Sequence, residues 1–236
     1  MPSPPTPPTT REARKQATRA LLLQTAARLF DELGYEATTM RAIAKAAGMA
    51  TGSAFVHFES KEALLHAVLH AEIERAVQAA IARPLPELRV LPDAEAPRAT
   101  ATEDALAGAR AQIVDDLVGI AAVFIERYAA SPQMFVPLLA RSLIADAAWA
   151  DRYRAQVEVV GQRVVAVLTL GKQASALDAD LDVRTAALAF FSFYYFGLVM
   201  AANERFAHPD RTLAQLRAQL AMLLRASSPP TPGDTP

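Results

Sequence analysis

Residues 38–65 read TTMRAIAKAAGMATGSAFVHFESKEALL. Thr38 or Thr39 can N-cap a short helix over Met40–Ala47, because a threonine hydroxyl accepts from an otherwise unpaired N–H of the first turn. Ile43 and Ala47 fall on one face of that helix, and Ala44 is small where another helix can approach. Gly48 tolerates positive φ, so the helix ends there and the chain turns sharply, with Met49 available for burial at the turn. A second short helix is predicted over roughly Thr51–His57, with Ala54 and Phe58 facing inward. Helix, Gly-centred turn, helix is the helix-turn-helix plan, whose second helix enters the DNA major groove.

The flanking residues add to this. RLFDELGYEATTMRAIAKAAGMATGSAFVHFESKEALL, beginning at Arg28, resembles the amino-terminal DNA-binding domain of TetR-family transcriptional regulators. The matching residues are Ala26, Ala27, Leu29, Phe30, Gly34, Tyr35, Thr38, Thr39, Ile43, Ala44, Gly48, Gly52, Ser53, His57, Phe58, Lys61, Glu62 and Leu64, and the resemblance runs from Arg19 to roughly His70. It implies an all-α chain: a three-helix DNA-binding domain, then a domain of about six helices for ligand binding and dimerisation. It also implies phosphate contacts from Thr39, His57 and Lys61. Arg41, on the first turn of the second helix, is placed for a groove-edge or base contact. Thr51, Gly52 and Ser53 open the recognition helix; Gly52 permits close backbone approach, and the two hydroxyls can read base edges or be merely solvated.

Two positions depart from the family pattern. Phe55 stands where the family carries a tyrosine whose hydroxyl reaches a phosphate. One neutral hydrogen bond is worth about 0.5–1.5 kcal/mol, so DNA binding is expected to be weakened, not lost. Ala50 stands where the family often has a capping serine, which leaves Thr51 as the alternative cap.

Composition bounds the remaining choices. The 236 residues are 52% hydrophobic and 21% charged, enough for a sizeable core. A net charge of −1 argues against a polybasic binder, although local charge is what DNA meets. With no cysteine, disulfides, thiol catalysis and cysteine-based zinc sites are excluded. No uninterrupted apolar run reaches the ~18–20 residues of a spanning helix, and MPSPPTPPTT is not a secretory signal, so a soluble cytoplasmic protein without membrane partners is expected. No Gly-rich phosphate loop, nucleophile elbow or other catalytic pattern occurs, so neither an enzyme nor a cofactor is expected. His66 and His70 lie at i, i+4 with Glu62 and Glu74 along the same stripe, but HAVLH lacks the glutamate beside the first histidine that zinc peptidases use. They are read as a solvated face, with no metal site.

In chain order, residues 1–10 are expected to form a disordered Pro-rich tail and 11–70 the DNA-binding domain. The first helix runs from about Arg11 or Thr18 to Leu33, with Leu22, Ala26, Leu29, Phe30 and Leu33 as its apolar stripe. Gly34 stops it, and Tyr35 packs back onto the three helices. Arg11, Arg14, Lys15 and Arg19 against Glu12 leave a local charge of +3. Ser60 caps a long fourth helix whose apolar face is Leu64, Leu65, Val68, Leu69, Ile73, Val77 and Ile81. Residues 71–226 are assigned to ligand binding and dimerisation, with 83–101 as a Pro-rich connector and 227–236 as a second tail. Five further helices are expected: 103–130 (inner face Leu106, Ile113, Leu117, Ile120, Phe124, Tyr128), 132–145, 149–170 (Val157, Val160, Val164, Val167, Leu168) with Gly171 as stop, 182–207 capped by Asp182, and 209–225.

The run AFFSFYYFGLVM is apolar around most of a helix and must be buried on several sides. In the family, helices 8 and 9 of two subunits form the dimer interface. Phe124, Tyr128, Trp149, Phe190, Tyr194 and Asn203 are the candidates for lining an effector pocket; Asn203 is polar on an apolar helix and needs a partner if buried. The resulting expectation is a homodimeric one-component transcriptional regulator, a repressor released from a near-palindromic double-stranded operator by a small hydrophobic or aromatic effector. The alternative is a helical protein-interaction module without specific DNA binding.

Overall fold

Thr10 starts the first helix: its Oγ accepts from the N–H of Ala13 at 3.1 Å. From that cap α1 (Arg11–Leu33) runs to Gly34, whose φ of +80° ends it. The computed structural model describes residues 10–88, 103–142 and 147–225. The two predicted tails (save Thr10), residues 89–101 of the connector and the predicted helix end at 143–145 lie outside the described residues. Every regular element among the described residues is helical. After α1 come α2 (Met40–Ala46), α3 (Thr51–His57), α4 (Lys61–Ala82), α5 (Glu103–Ala130), α6 (Pro132–Ser142), α7 (Ala147–Gln173), α8 (Val183–Asn203) and α9 (Pro209–Leu223).

Contacts divide the chain into two units. The first comprises residues 10–75 and 130–153, the second 76–129 and 154 onward, so the division falls within α4 and α7. In the first unit α1 packs on α2 and α6. Leu22, Ala26, Leu29 and Phe30 of α1 are buried with Ile43, Ala44, Ala54 and Phe58, as the sequence pattern predicts, and α6 adds Met134 and Phe135. Leu33 does not join them; the last residue of α1 is 55% exposed, because the chain turns away at Gly34. Gly48 has φ +72°, and Met49 beside it is half-buried. Ser60 Oγ accepts from the N–H of Ala63 at 2.9 Å and caps α4. On α4 the buried face includes His66 and Glu72 besides the predicted Leu64, Leu65, Val68, Leu69 and Val77, whereas Ile73 and Ile81 are only half-buried.

In the second unit α5 buries Ile113, Leu117, Ile120, Phe124 and Tyr128, while Leu106 is half-buried. Arg163 of α7 donates to the carbonyls of Arg83 and Pro84, both at 2.7 Å. Asp116 of α5 lies 3.9 Å from the same guanidinium; burial raises its pKa against the opposing pull of Arg163 and then Arg83. Val160, Val164, Val167 and Leu168 are buried on α7, but Val157 is 54% exposed.

Gly171 corrects a sequence expectation. It does not stop α7, which continues to Gln173 before Ser175 takes φ +57°. A Cβ at Gly171 would lie 2.6 Å from Ile113 Cδ1 and 2.8 Å from Leu177 Cδ1, so the glycine is there for helix–helix approach.

α8 begins as predicted, with the Asp182 carboxylate accepting from the N–H of Arg184 at 3.0 Å and the Thr185 hydroxyl at 2.6 Å. These hydrogen bonds, the Thr185 hydroxyl first, lower the Asp182 pKa. It ends at Asn203, short of the predicted 207, because Arg205 and Phe206 adopt positive φ and fold the Phe206 ring inward. α9 packs on α8 with Leu216, Leu220 and Leu224 buried. By length and composition α8 is apolar enough to cross a membrane, at mean hydropathy 1.6, although Ser192 and Gly197 interrupt its apolar run.

Gly171→Ala forces a methyl group between two core side chains and is expected to lower stability by about 1–3 kcal/mol. Urea unfolding of the variant against wild type checks this.

Candidate nucleic-acid interface

The turn between α1 and α2 is held from inside. Thr38 is buried, with its hydroxyl 2.8 Å from the carbonyl of Gly34 and 3.2 Å from that of Leu29. The Lys61 ammonium, at the start of α4, donates to the carbonyls of Tyr35 and Thr38, each at 3.0 Å, and lies 4.1 Å above the Tyr35 ring. Tyr35 in turn packs on Phe30, ring centroids 5.5 Å apart. Two donors of Lys61 are thus committed to the turn; an ammonium has a third.

Thr39 is the cap of α2. Its Oγ accepts from the N–H of Ala42 at 3.1 Å, which leaves the hydroxyl proton for another acceptor. Arg41 is exposed on the next turn. α3 begins at Thr51, as expected, but its cap is Ala50 and no side chain caps it. The reading of Thr51 as substitute cap is therefore corrected: Thr51 is already the first helical residue, past the position from which a hydroxyl caps. Gly52, Ser53 and Phe55 are exposed on α3, and Thr51 and His57 are half-exposed. His57 Nδ1 is buried without a hydrogen-bond partner among the described residues. Val56, 77% exposed, also faces outward; nothing in the sequence pattern separates it from an ordinary apolar helix residue. The predicted DNA-contact set thus sits within one unit, on α2, α3 and the start of α4.

Residues 22–68 match the sequence model for bacterial regulatory proteins of the tetR family. The amino-terminal domain of this chain is a TetR-family domain. Over 63 residues, 27% of this chain, it is 46% identical to the transcriptional repressor KstR2 of Rhodococcus jostii, and over 66 residues, 28% of the chain, 36% identical to the transcriptional regulator UidR of Escherichia coli. These matches span 31% and 34% of the two relatives' lengths. The fatty acid degradation regulator FadR from Bacillus halodurans shares the fold at TM-score 0.58, with 17% identity over 88% of this chain and 94% of its own. That likeness is one of fold: a helix-turn-helix followed by a domain of further helices.

Four of the six effector-pocket candidates come together in the second unit. Tyr194 stacks on Phe190 and meets Phe124 edge-on, each with centroids 6.3 Å apart. Its hydroxyl is hydrogen-bonded to that of Tyr128, whose ring lies 5.8 Å from Phe206. Burial pushes the Tyr128 hydroxyl up to about 12 and raises Tyr194 well above its ordinary value, so both stay protonated. Beside Tyr194 a narrow surface groove runs between α5, α8 and α9, with Gly197, Thr212 and Gln215 in its lining. The other two candidates are not part of this cluster: Asn203 is exposed at the end of α8, and Trp149 belongs to the first unit.

Trp149 instead meets the two histidines, which are not a solvated face. His66 is 6% exposed, stacks on Trp149 at 5.5 Å and lies 3.0 Å through Nδ1 from the Tyr153 hydroxyl. His70 contacts both rings, at 6.0 and 6.5 Å, and Arg152 covers Trp149 at 4.6 Å. Periodicity misplaced the histidines because Tyr153 is 87 residues away from His66 and no local pattern announces it. No group of three metal-ligating side chains occurs among the described residues.

Burial first, and Arg152 second, hold His70 below the ordinary value of 6.5, with Glu74 pulling it back up. The unfolded chain therefore binds this proton before the folded one. Stability present above pH 6.5 is lost as pH falls through the folded His70 pKa. Denaturant unfolding at a pH above and one below this window is expected to show a larger loss for wild type than for His70→Gln.

Proposed function

We propose that this protein is a homodimeric, cytoplasmic one-component transcriptional regulator, a repressor whose operator is near-palindromic. The observation that carries the reading is the outward-facing helix-turn-helix surface itself. Thr39 and Lys61 support the fold through some of their polar atoms and keep a donor for DNA, and both sit beside the exposed Arg41, Gly52, Ser53 and Phe55. In this reading Thr39, His57 and Lys61 bind phosphate. Arg41, Thr51, Gly52 and Ser53 approach base edges, while Phe55 contributes ring contact without the hydroxyl.

The dimer is assigned to α8 and α9. Leu188, Tyr195, Phe196, Val199 and Met200 of α8 and Met222 of α9 are exposed, an apolar face on two neighbouring helices that a second copy can cover. A two-fold dimer would set its recognition helices about 34–36 Å apart, one turn of the duplex. The effector is a hydrophobic or aromatic small molecule received at the Phe124, Tyr128, Phe190 and Tyr194 cluster. It releases DNA only through a difference in its affinity for the DNA-competent and DNA-incompetent states.

The experiment is a salt series of binding to duplexes selected by the wild-type chain from a random pool. Tight, selective, salt-sensitive binding by a dimer is expected; absence of any selected sequence would leave the interaction-module reading in its place. Lys61→Ala is expected to weaken binding to all sequences alike and to flatten the dependence of log K on log salt by about 0.9 per protomer. A change in sequence preference alone would contradict its phosphate role.

A further inference from the structure

The first two turns of α1 carry charge that the helix-turn-helix reading does not use. Arg11, Lys15 and Arg19 are spaced i, i+4, i+8. At about 100° per residue, the same series continues as Leu22, Ala26 and Leu29, the buried face of this helix. The side of α1 that packs into the DNA-reading unit from Leu22 onward is therefore basic before Leu22. Arg14 borders the stripe, and Glu12 is the one acid between residues 11 and 19.

The stripe is held in place at both ends. Thr10 caps the helix, so Arg11 to Arg19 stand on regular helix about 12 Å long. Arg19 is half-buried, with its guanidinium 4.5 Å from the centroid of the Phe58 ring, the residue that ends the recognition helix α3. Arg11 and Lys15, farther out, are exposed. Among the described residues no ion pair engages Arg11, Lys15 or Arg19. A row of cations that starts at the recognition helix and runs outward from it matches a polyanion that continues past the bases being read. A duplex offers one negative charge about every 1.7 Å of its axis and asks no sequence of such a row.

We propose that this stripe is a second DNA-contacting element, a set of phosphate ligands that lengthens each protomer's footprint beyond the half-site read by α3. The proposal rests on the DNA-binding reading above. Its test compares wild type, Arg11→Ala with Lys15→Ala, and the charge-keeping pair Arg11→Lys with Lys15→Arg, all in the full-length chain and all on the duplexes selected by wild type. The double alanine variant is expected to lower the slope of log K against log salt by about 1.8 per protomer, two phosphates at ~0.9 each. It should also lose backbone protection at the outer flanks of the hydroxyl-radical footprint while keeping the preference for selected over scrambled duplex. The charge-keeping pair should retain both slope and flank protection. Wild type that binds with a steep salt slope, alongside a double alanine variant of equal slope and footprint, would overturn the stripe alone. Wild type with no salt-dependent binding to any duplex would overturn the DNA-binding reading and the stripe with it.

Discussion

The Lys61 ammonium, seated above the Tyr35 ring and bonded to two carbonyls of the turn, is the contact on which the amino-terminal unit depends. Residues 34–38 form a non-helical link in which the Tyr35 carbonyl accepts from the N–H of Thr38 at 3.3 Å, and buried carbonyls without donors cost about 1–3 kcal/mol each. The Thr38 hydroxyl serves Gly34 or Leu29, and Lys61 serves Tyr35 and Thr38. Because Lys61 begins α4, the same hydrogen bonds that satisfy the turn also fix where α4 leaves the helix-turn-helix. The aromatic ring beneath the ammonium supports a half-buried charge that has no carboxylate partner among the described residues.

A consequence is that polar residues of the helix-turn-helix surface divide their hydrogen-bonding atoms between the fold and the outside. Thr39 accepts with its oxygen to cap α2 and keeps a proton to give. Lys61 gives two protons inward and keeps one. This division is available to groups with several donors or with both donor and acceptor character. It is not available to Ala50, and α3 accordingly starts with no side-chain cap. Stability and recognition therefore cannot be separated cleanly in this surface: removing Lys61 removes a brace as well as a charge.

The second unit is organised by bulk rather than by polar bonds. α8 distributes its aromatic residues between an interior side, where Phe190 and Tyr194 meet Phe124 and Tyr128, and an exterior side carrying Tyr195 and Phe196. The Tyr128–Tyr194 hydrogen bond satisfies two hydroxyls that burial would otherwise penalise. Glycines are used here differently from those in the first unit. Gly34 and Gly48 supply positive φ at helix ends, whereas Gly171 supplies the absence of a side chain between Ile113 and Leu177.

Most of the fold was legible in the sequence because local chemistry carries it. The Gly34 and Gly48 stops, the Thr39, Ser60 and Asp182 caps, and the Leu22–Phe30 and Ile113–Tyr128 stripes all depend on residues within a turn or two of one another. The helix-turn-helix and its family could be recognised for the same reason. What the tertiary structure alone decided is where separate segments meet. It moved His66 and His70 from a solvated face into contact with Trp149 and Tyr153, left Asn203 exposed at the end of α8, and turned Gly171 from a stop into a packing contact. It also showed that the basic start of α1 continues the buried face of the helix and meets Phe58 through Arg19. Helical periodicity specifies which residues share a face, but not which distant side chain that face will find. That choice is made by packing between elements many residues apart, where a single ring or a missing Cβ decides the partner.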